Sequence, residues 1–481
     1  MRTEAFIDGR FVPAADGAVF DDVSPRDGSV IASVAACSSE DVDRAVRAAR
    51  RAFEDGGWAL ADPAERKRVL LRLAALLDER LEELAQLESA DVGHPIGDAR
   101  RVDVPAARRC FAWYAEAIDK VYGEIAPTGA DALALVGREP LGVIGAVVPW
   151  NYPLIVTAWK LAPALATGNS VVLKPAEQSP LSALALAELA AEAGVPDGVL
   201  NVLPGFGPDA GEPLGRHPDV DKIAFTGSVE VGRRFLRYAG ESNGKAVSLE
   251  LGGKSPHVVL ADAADLEAAA QAIGWGIFYN AGQTCHAGSR VVVERQVADQ
   301  LEDRLVEFAR SLHPADPALP DTKLGALVSD EHLKGVLARV QAAAANGGAR
   351  VLVGGERAAP VPGGAYLYPT VIDAFDPGDA IVQEEVFGPV LAIQRADDLE
   401  HAVALANGTS YGLAAAVWTQ NVTTAHRVAR RLRAGTVWVN TFDVSSLATP
   451  FGGVKDSGHG RDRSLHALDA YTHLKTTWVS L

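Results

Sequence analysis

Three residues of this chain have the types and settings for acyl chemistry. Cys285 sits in Asn280-Ala281-Gly282-Gln283-Thr284-Cys285-His286-Ala287-Gly288, a polar, glycine-flanked segment that follows an apolar helix. A lone cysteine is more often an inert buried residue; a nucleophile needs a lowered pKa and access. Cys37 and Cys110 have no comparable setting. Glu250 lies between Leu249 and Leu251 on a strand-like run, with Gly252 and Gly253 after it. It reads either as a solvent-facing strand residue or as a desolvated carboxyl with a raised pKa, suited to general-base work. Asn151, in Pro149-Trp150-Asn151-Tyr152-Pro153, follows a strand. Asparagine between prolines is ordinarily turn chemistry, but at the carboxyl end of a strand its amide can donate to an oxyanion.

A second group suits a dinucleotide. Lys174-Pro175-Ala176-Glu177 ends the next strand, where a lysine and an acid can hold ribose hydroxyls or simply pair in a loop. Phe225-Thr226-Gly227-Ser228-Val229-Glu230-Val231-Gly232 ends a strand and opens a helix whose free amides suit a phosphate. The G-x-G-x-x-G turn is absent, so spacing alone is a weak cofactor signal.

These residues need elements to position them. Apolar runs at Val143–Val148, Ser170–Leu173, Leu200–Leu203 and Lys222–Phe225 alternate with helical stretches at Ile155–Ala166, Leu181–Ala193, Pro208–Gly215 and Val229–Tyr238. Buried strands alternating with helices predict a parallel, doubly wound α/β layer, with ligands beyond the carboxyl ends of its strands. From about Leu251 the pattern restarts. Strands are predicted at Val258–Leu260, Arg290–Val293, Arg350–Val353, Leu391–Ala396, Ala414–Trp418 and Thr436–Val439, with helices such as Leu266–Ile277 and Leu301–Leu312 between them. Ahead of both, Val42, Val46, Ala49 and Phe53 share a helical face with Ser39 as the expected N-cap. Leu70, Leu73, Leu77, Leu81 and Leu84 mark one further helix, and a third spans about Val104 to Val121. Ala132–Arg138 and Thr472–Val479 read as peripheral strands, the last suited to pairing with another subunit.

Composition bounds the function. A chain of 481 residues allows about three domains. Its 48% hydrophobic and 22% charged residues exclude a disordered or fibrous protein. The 45 basic against 62 acidic residues give a net charge of −17, which argues against nucleic acid and anionic membrane as partners. Three cysteines form no disulfide framework and no zinc motif, so a reducing, cytoplasmic setting is expected, with no metal. The N-terminus lacks a signal-peptide pattern, and Val143–Leu165 is too interrupted by prolines and Lys160 to span a membrane.

Taken in order, the segments PWN, KPAE, FTGS, LELGGKSP, GQTC, EEVFGPV and PFGG resemble the aldehyde dehydrogenase superfamily over nearly the whole chain. The resemblance implies NAD-dependent oxidation of an aldehyde to a carboxylic acid. Cys285 falls on the nucleophile, Glu250 on the general base, and Asn151 with the Cys285 N–H on the oxyanion site. Lys174 and Glu177 fall on the adenosine-ribose contacts; Thr226, Gly227, Ser228 and Gly232 lie near the pyrophosphate; Glu385 and Phe387 hold the nicotinamide ribose and ring. Trp150, Leu251 and Gly252 belong to the same cofactor set. Glu250 favours hydrolysis of the thioester over transfer to coenzyme A, and Glu177 favours NAD over NADP because a carboxylate repels a 2′-phosphate. The implied fold is α/β: a Rossmann-like cofactor domain (1–121 and 141–251), an α/β catalytic domain (252–456), and a β oligomerisation arm (122–140 and 457–481) that makes a homodimer or homotetramer. Two other function classes are a binding protein that kept the fold without turnover, and a hydrolase using the same cysteine on activated esters.

For the substrate, the stretch Trp113–Glu124 and the tail Gly460–Leu468 look like bacterial gamma-glutamyl-gamma-aminobutyraldehyde dehydrogenases. The expected tunnel comprises Val102, Ala106, Tyr152, Val156, Trp159, Tyr279, Thr284, His286, Val444, Ser445 and Ser446. Acids that such enzymes tend to carry near Val102, Val444 and Ser446 are missing, which favours a neutral aliphatic or aromatic aldehyde over an ω-aminoaldehyde. Asp103 and Asp443 are the acids whose direction decides this. Trp159, in place of an arginine, argues against a carboxylate-tailed substrate.

Overall fold

The computed structural model describes residues 1–481. Five parallel strands form the centre of the first sheet, in the spatial order Leu200–Val202, Ser170–Lys174, Val143–Val147, Lys222–Gly227 and Ala246–Leu251. The chain winds outward in one direction from Val143–Val147, then returns to place Lys222–Gly227 on its other side. The topological switch therefore falls between these two strands, and a crevice opens beyond their carboxyl ends. Pro149-Trp150-Asn151 leaves one strand and Thr226-Gly227-Ser228 ends the other, so the two motifs meet there. Both faces of the sheet are covered, which explains why its strands read as continuous apolar runs. Val42, Val46 and Ala49 of the helix Ser39–Glu54 cover one face; Leu154, Leu161 and Leu165 of Pro153–Ala166, with Leu184 and Leu186, cover the other.

The second sheet has seven strands, ordered Ala349–Val353, Thr370–Ala374, Val390–Ala396, Arg290–Glu294, Pro256–Val259, Ala414–Trp418 and Thr436–Val439. All its pairings are parallel except the first. Among the elements of this half not named from sequence are the strand Thr370–Ala374, whose apolar run is only two residues long between Thr370 and Asp373, and the helix Asp330–Ala345. A separate antiparallel sheet joins Thr472–Ser480 to Ala132–Pro140 and Glu124–Ala126. Its strand Thr472–Ser480 lies at the edge and exposes Leu474 and Trp478. Gly458–His459, within the segment expected in the arm, instead pairs with Leu249 and Glu250 at the edge of the first sheet.

Three local expectations are corrected. The N-cap of Ser39–Glu54 is Ser38, not Ser39, because Asp41 closes a capping box on it. The leucine stripe from Leu70 to Leu84 belongs to two helices, Pro63–Glu79 and Leu81–Val92, broken at Arg80. The third helix ends at Ala117 and passes into a short 3-10 turn at Ile118–Lys120. No helix is long and apolar enough to cross a membrane, and all three cysteines are free.

Candidate active site

Cys285 lies on a loop with unusual backbone support. The helix Leu266–Phe278 ends in a short turn where Asn280 and Ala281 take left-handed conformations, at φ 49° and 52°. Such a conformation persists in non-glycine residues only where the surroundings hold it. Here the Asn280 Nδ2 donates to the Asn151 carbonyl at 3.0 Å, and the Asn151 Nδ2 donates to the Gln283 carbonyl at 2.8 Å. The Gln283 Oε1 accepts from the Val328 N–H at 2.9 Å. This exchange fastens the cysteine loop to the turn after Val143–Val147. Asn151 and Cys285, far apart in the chain, are thereby held on neighbouring backbone.

A cavity of about 1040 Å³ is lined by Asn151, Glu250 and Cys285 together. Glu250 ends its strand opposite Thr226 and is buried, with no hydrogen-bond partner on either carboxylate oxygen. Burial first, and the nearby Asp462 charge second, push its carboxyl well above the usual range, while Lys160 opposes them. Of the two readings open from sequence, the desolvated acid is the one found. Lys160 and Asp462 form a buried ion pair at 2.6 Å behind it, a pair that sequence spacing did not suggest.

The cofactor-class residues Trp150, Thr226, Gly227, Ser228, Leu251, Gly252, Glu385 and Phe387 line the same cavity. Glu385 accepts from the Gly253 N–H at 2.9 Å, and burial raises its carboxyl to about 7. A Cβ on Gly252 would collide with that carboxylate, so only glycine allows this approach. The buried Thr226 Oγ1 has no partner, and Ser228 caps the helix Val229–Gly240 by accepting from the Val231 N–H at 3.3 Å. An orphaned hydroxyl, a helix N-terminus and a glycine-lined approach fit a phosphate-bearing dinucleotide. Lys174, Glu177 and Gly232 lie outside this cavity. The Lys174 ammonium is buried, 3.4 Å from the Glu177 carboxylate, and Gly232 packs closely on Leu251.

Of the expected tunnel residues, Val102, Ala106, Tyr152, Val156, Trp159, Tyr279, His286, Ser445 and Ser446 line the cavity. Thr284 and Val444 do not. The Thr284 hydroxyl is turned to the Tyr152 hydroxyl at 2.8 Å, and Val444 is exposed to solvent while its carbonyl accepts from Trp438 Nε1. The two undecided acids separate. Asp103 is buried away from the lining, 2.6 Å from His94 Nδ1. Asp443 turns inward, lines the cavity and accepts from His286 Nε2 at 2.8 Å. Arg463 is a further lining residue that sequence reasoning missed. Its guanidinium lies 5.1 Å from the Trp159 ring centre and 4.9 Å from that of Phe451. The absence of arginine at position 159 therefore does not leave the tunnel without a guanidinium. Arg109, Trp113 and Glu116, on the helix Val104–Ala117, complete the mouth. Their i, i+4 and i+7 spacing, continuing from Val102 and Ala106, is the signal that could have found them.

A family model described as the aldehyde dehydrogenase family matches residues 11–477. The NADP/NAD-dependent aldehyde dehydrogenase PuuC of Escherichia coli (strain K12) is 50% identical over 481 residues, covering 100% of this chain and 96% of that protein. A solved structure of gamma-glutamyl-gamma-aminobutyraldehyde dehydrogenase from Burkholderia cenocepacia J2315 is 53% identical, with a TM-score of 0.97 over 100% of this chain and 97% of that one. An indole-3-acetaldehyde dehydrogenase solved with NAD+ is 50% identical, with a TM-score of 0.98 and the same coverage.

Proposed function

Since this chain belongs to the aldehyde dehydrogenase family, in which it is an NAD-dependent enzyme, we propose that its substrate is an ω-aminoaldehyde of the gamma-glutamyl-gamma-aminobutyraldehyde type, oxidised to the carboxylic acid. The observation that carries the chemistry is the convergence of Cys285, Glu250 and Asn151 on one cavity. The Cys285 sulfur attacks the aldehyde carbon, and the carbonyl electrons move onto oxygen. The Asn151 amide, pinned by its bond to Gln283, and the Cys285 N–H stabilise that oxyanion; one such donor is worth roughly 3–4 kcal/mol. NAD+, when bound, would supply the hydride acceptor for oxidation of this adduct to a thioester. Trp150, Thr226, Ser228, Glu385 and Phe387, which line the cavity, would hold and orient it. Glu250 then takes a proton from water, which attacks the thioester carbon and releases the acid and the Cys285 thiolate.

Sequence alone favours a neutral aldehyde, because acids are missing at Val102, Val444 and Ser446. Three observations support the aminoaldehyde instead. Asp443 faces the tunnel, Glu116 stands at its mouth, and the 53% identical structure bears a gamma-glutamyl-aminoaldehyde name. Arg109 and Arg463 line the same cavity, so a tail bearing both an ammonium and a carboxylate would find partners of either sign. The aromatic walls of Trp113 and Trp159 and the indole-acetaldehyde relative favour a second reading, a neutral aromatic aldehyde. Steady-state kcat/KM decides between them. 4-Aminobutanal and its gamma-glutamyl derivative should exceed pentanal by at least about tenfold, the worth of one charge-assisted contact. A preference for pentanal or an aryl acetaldehyde overturns the aminoaldehyde reading.

We propose also that NAD is preferred to NADP through Glu177. Its carboxylate is about a third exposed beside Lys174, and a 2′-phosphate brought against it would meet a like charge. Glu177→Ser should reduce the NAD/NADP ratio of kcat/KM by about tenfold, as expected for removing one partly screened like charge. An unchanged ratio assigns cofactor choice elsewhere.

A further inference from the structure

We propose that His286 and Asp443 form, with Cys285, a Cys–His–Asp relay that holds the nucleophile as a thiolate before substrate arrives. The proposal rests on the reading of Cys285 as the nucleophile. His286 Nδ1 lies 3.8 Å from the Cys285 Sγ, and its Nε2 lies 2.8 Å from Asp443 Oδ1. A carboxylate accepts only from an N–H, so Asp443 places a proton on Nε2 and leaves Nδ1 facing sulfur. In the neutral ring Nδ1 is then a lone pair aimed at the thiol. The proton passes from Cys285 S–H to Nδ1, the S–H bond breaks, the N–H bond forms, and a thiolate and an imidazolium remain. Asp443 neutralises the imidazolium from the far side, so no uncompensated charge is created. Sulfur then adds to the aldehyde carbon. On hydrolysis of the thioester the thiolate returns to the same imidazolium. This is the geometry by which a base oriented by a third group activates a nucleophile.

The surroundings are suited to it. Trp438, Phe442 and Phe451 pack around the imidazole with ring centres 5.7–6.3 Å away, which restricts its plane. Burial opposes the ring's charge, yet the Asp443 charge and hydrogen bond, with the Cys285 contact after them, raise it to about 10, so a proton taken from sulfur stays on the ring at neutral pH. Burial likewise opposes the Asp443 charge, yet His286 first and Arg463 after it hold that carboxyl below the ordinary range. The other ionisable groups that bear on the relay are Glu250, from the strand Ala246–Leu251, and Tyr152, from the turn before Pro153–Ala166. Burial raises the pKa of both groups. Cys37 and Cys110 are buried with thiols pushed far up, so alkylation reports on Cys285 alone.

The test is the pH profile of iodoacetamide alkylation of the full chain without aldehyde or added cofactor, followed by mass spectrometry of the Cys285 peptide. The parent's profile should be displaced to lower pH than that of a free cysteine. His286→Asn should move it toward the free value, lowering the rate at pH 6 by at least about tenfold while changing it less than about twofold at pH 9.5. Asp443→Asn, at a half-exposed side chain, should shift it in the same direction, and Asp443→Glu should restore it. A profile unchanged in both variants, or a loss uniform across pH, overturns the relay. Because the assay uses neither aldehyde nor cofactor, that outcome is separate from whether Cys285 carries the oxidation, which Cys285→Ala decides.

Discussion

Cys285→Ala should lower NAD-dependent aldehyde oxidation by at least about 10⁴-fold, the scale on which removal of an enzyme's covalent nucleophile acts. No neighbouring group can take its place. Cys37 lies in the core beneath the first sheet and Cys110 in the helical layer, both buried with thiols pushed up by desolvation. The fold should survive, because the sulfur contributes one contact to His286 while the loop is held by the Asn280, Asn151 and Gln283 bonds. Thermal unfolding and NAD+ binding should therefore match the parent, and Cys37→Ala and Cys110→Ala should retain turnover. Substantial oxidation by Cys285→Ala would falsify the covalent mechanism.

The second large effect falls on Glu250. Glu250→Gln preserves shape but cannot accept a proton. Steady-state turnover should fall by about 10²–10⁴-fold, the usual worth of a general base. Hydride transfer precedes that step, so about one equivalent of NADH per site should still appear in a burst, with acyl-enzyme visible by mass spectrometry. Normal turnover, or loss of the burst, gives Glu250 a different role. The parent's pH dependence has a definite sign. Burial and the Asp462 charge raise the Glu250 carboxyl, so the base form is depleted as pH falls through that raised value. Deacylation should rise with pH on the acidic side, and the Glu250→Gln variant should lose this limb.

Much of the frame was legible because it is local. Val143–Val147, Ser170–Lys174 and Ala414–Trp418 are wholly buried strands, and a strand buried on both faces must be apolar throughout. Where side chains are mixed, as in Thr370–Ala374, the run is too short and too polar to declare itself. The break at Arg80 was also hidden, since the leucine period continues through both helices and only the backbone turns.

The chain's own residue order determined which groups were available for chemistry: a cysteine on a glycine-flanked loop, a carboxylate on an apolar strand, and an amide after a buried strand. Only the tertiary structure decided which charges meet. Asp443 reaches His286 across 157 positions, Lys160 reaches Asp462 across 302, and Arg463 lies over Trp159. Asp103, equally plausible from sequence, is buried outside the lining, against His94. The physical reason is that periodicity reports the direction of a side chain only within a helix or strand. Asp443, Asp462 and Arg463 lie on irregular backbone, with Asp443 and Arg463 at positive φ. Their directions follow from what packs against those loops, and through them the tunnel acquires acids and a guanidinium that no local pattern announces.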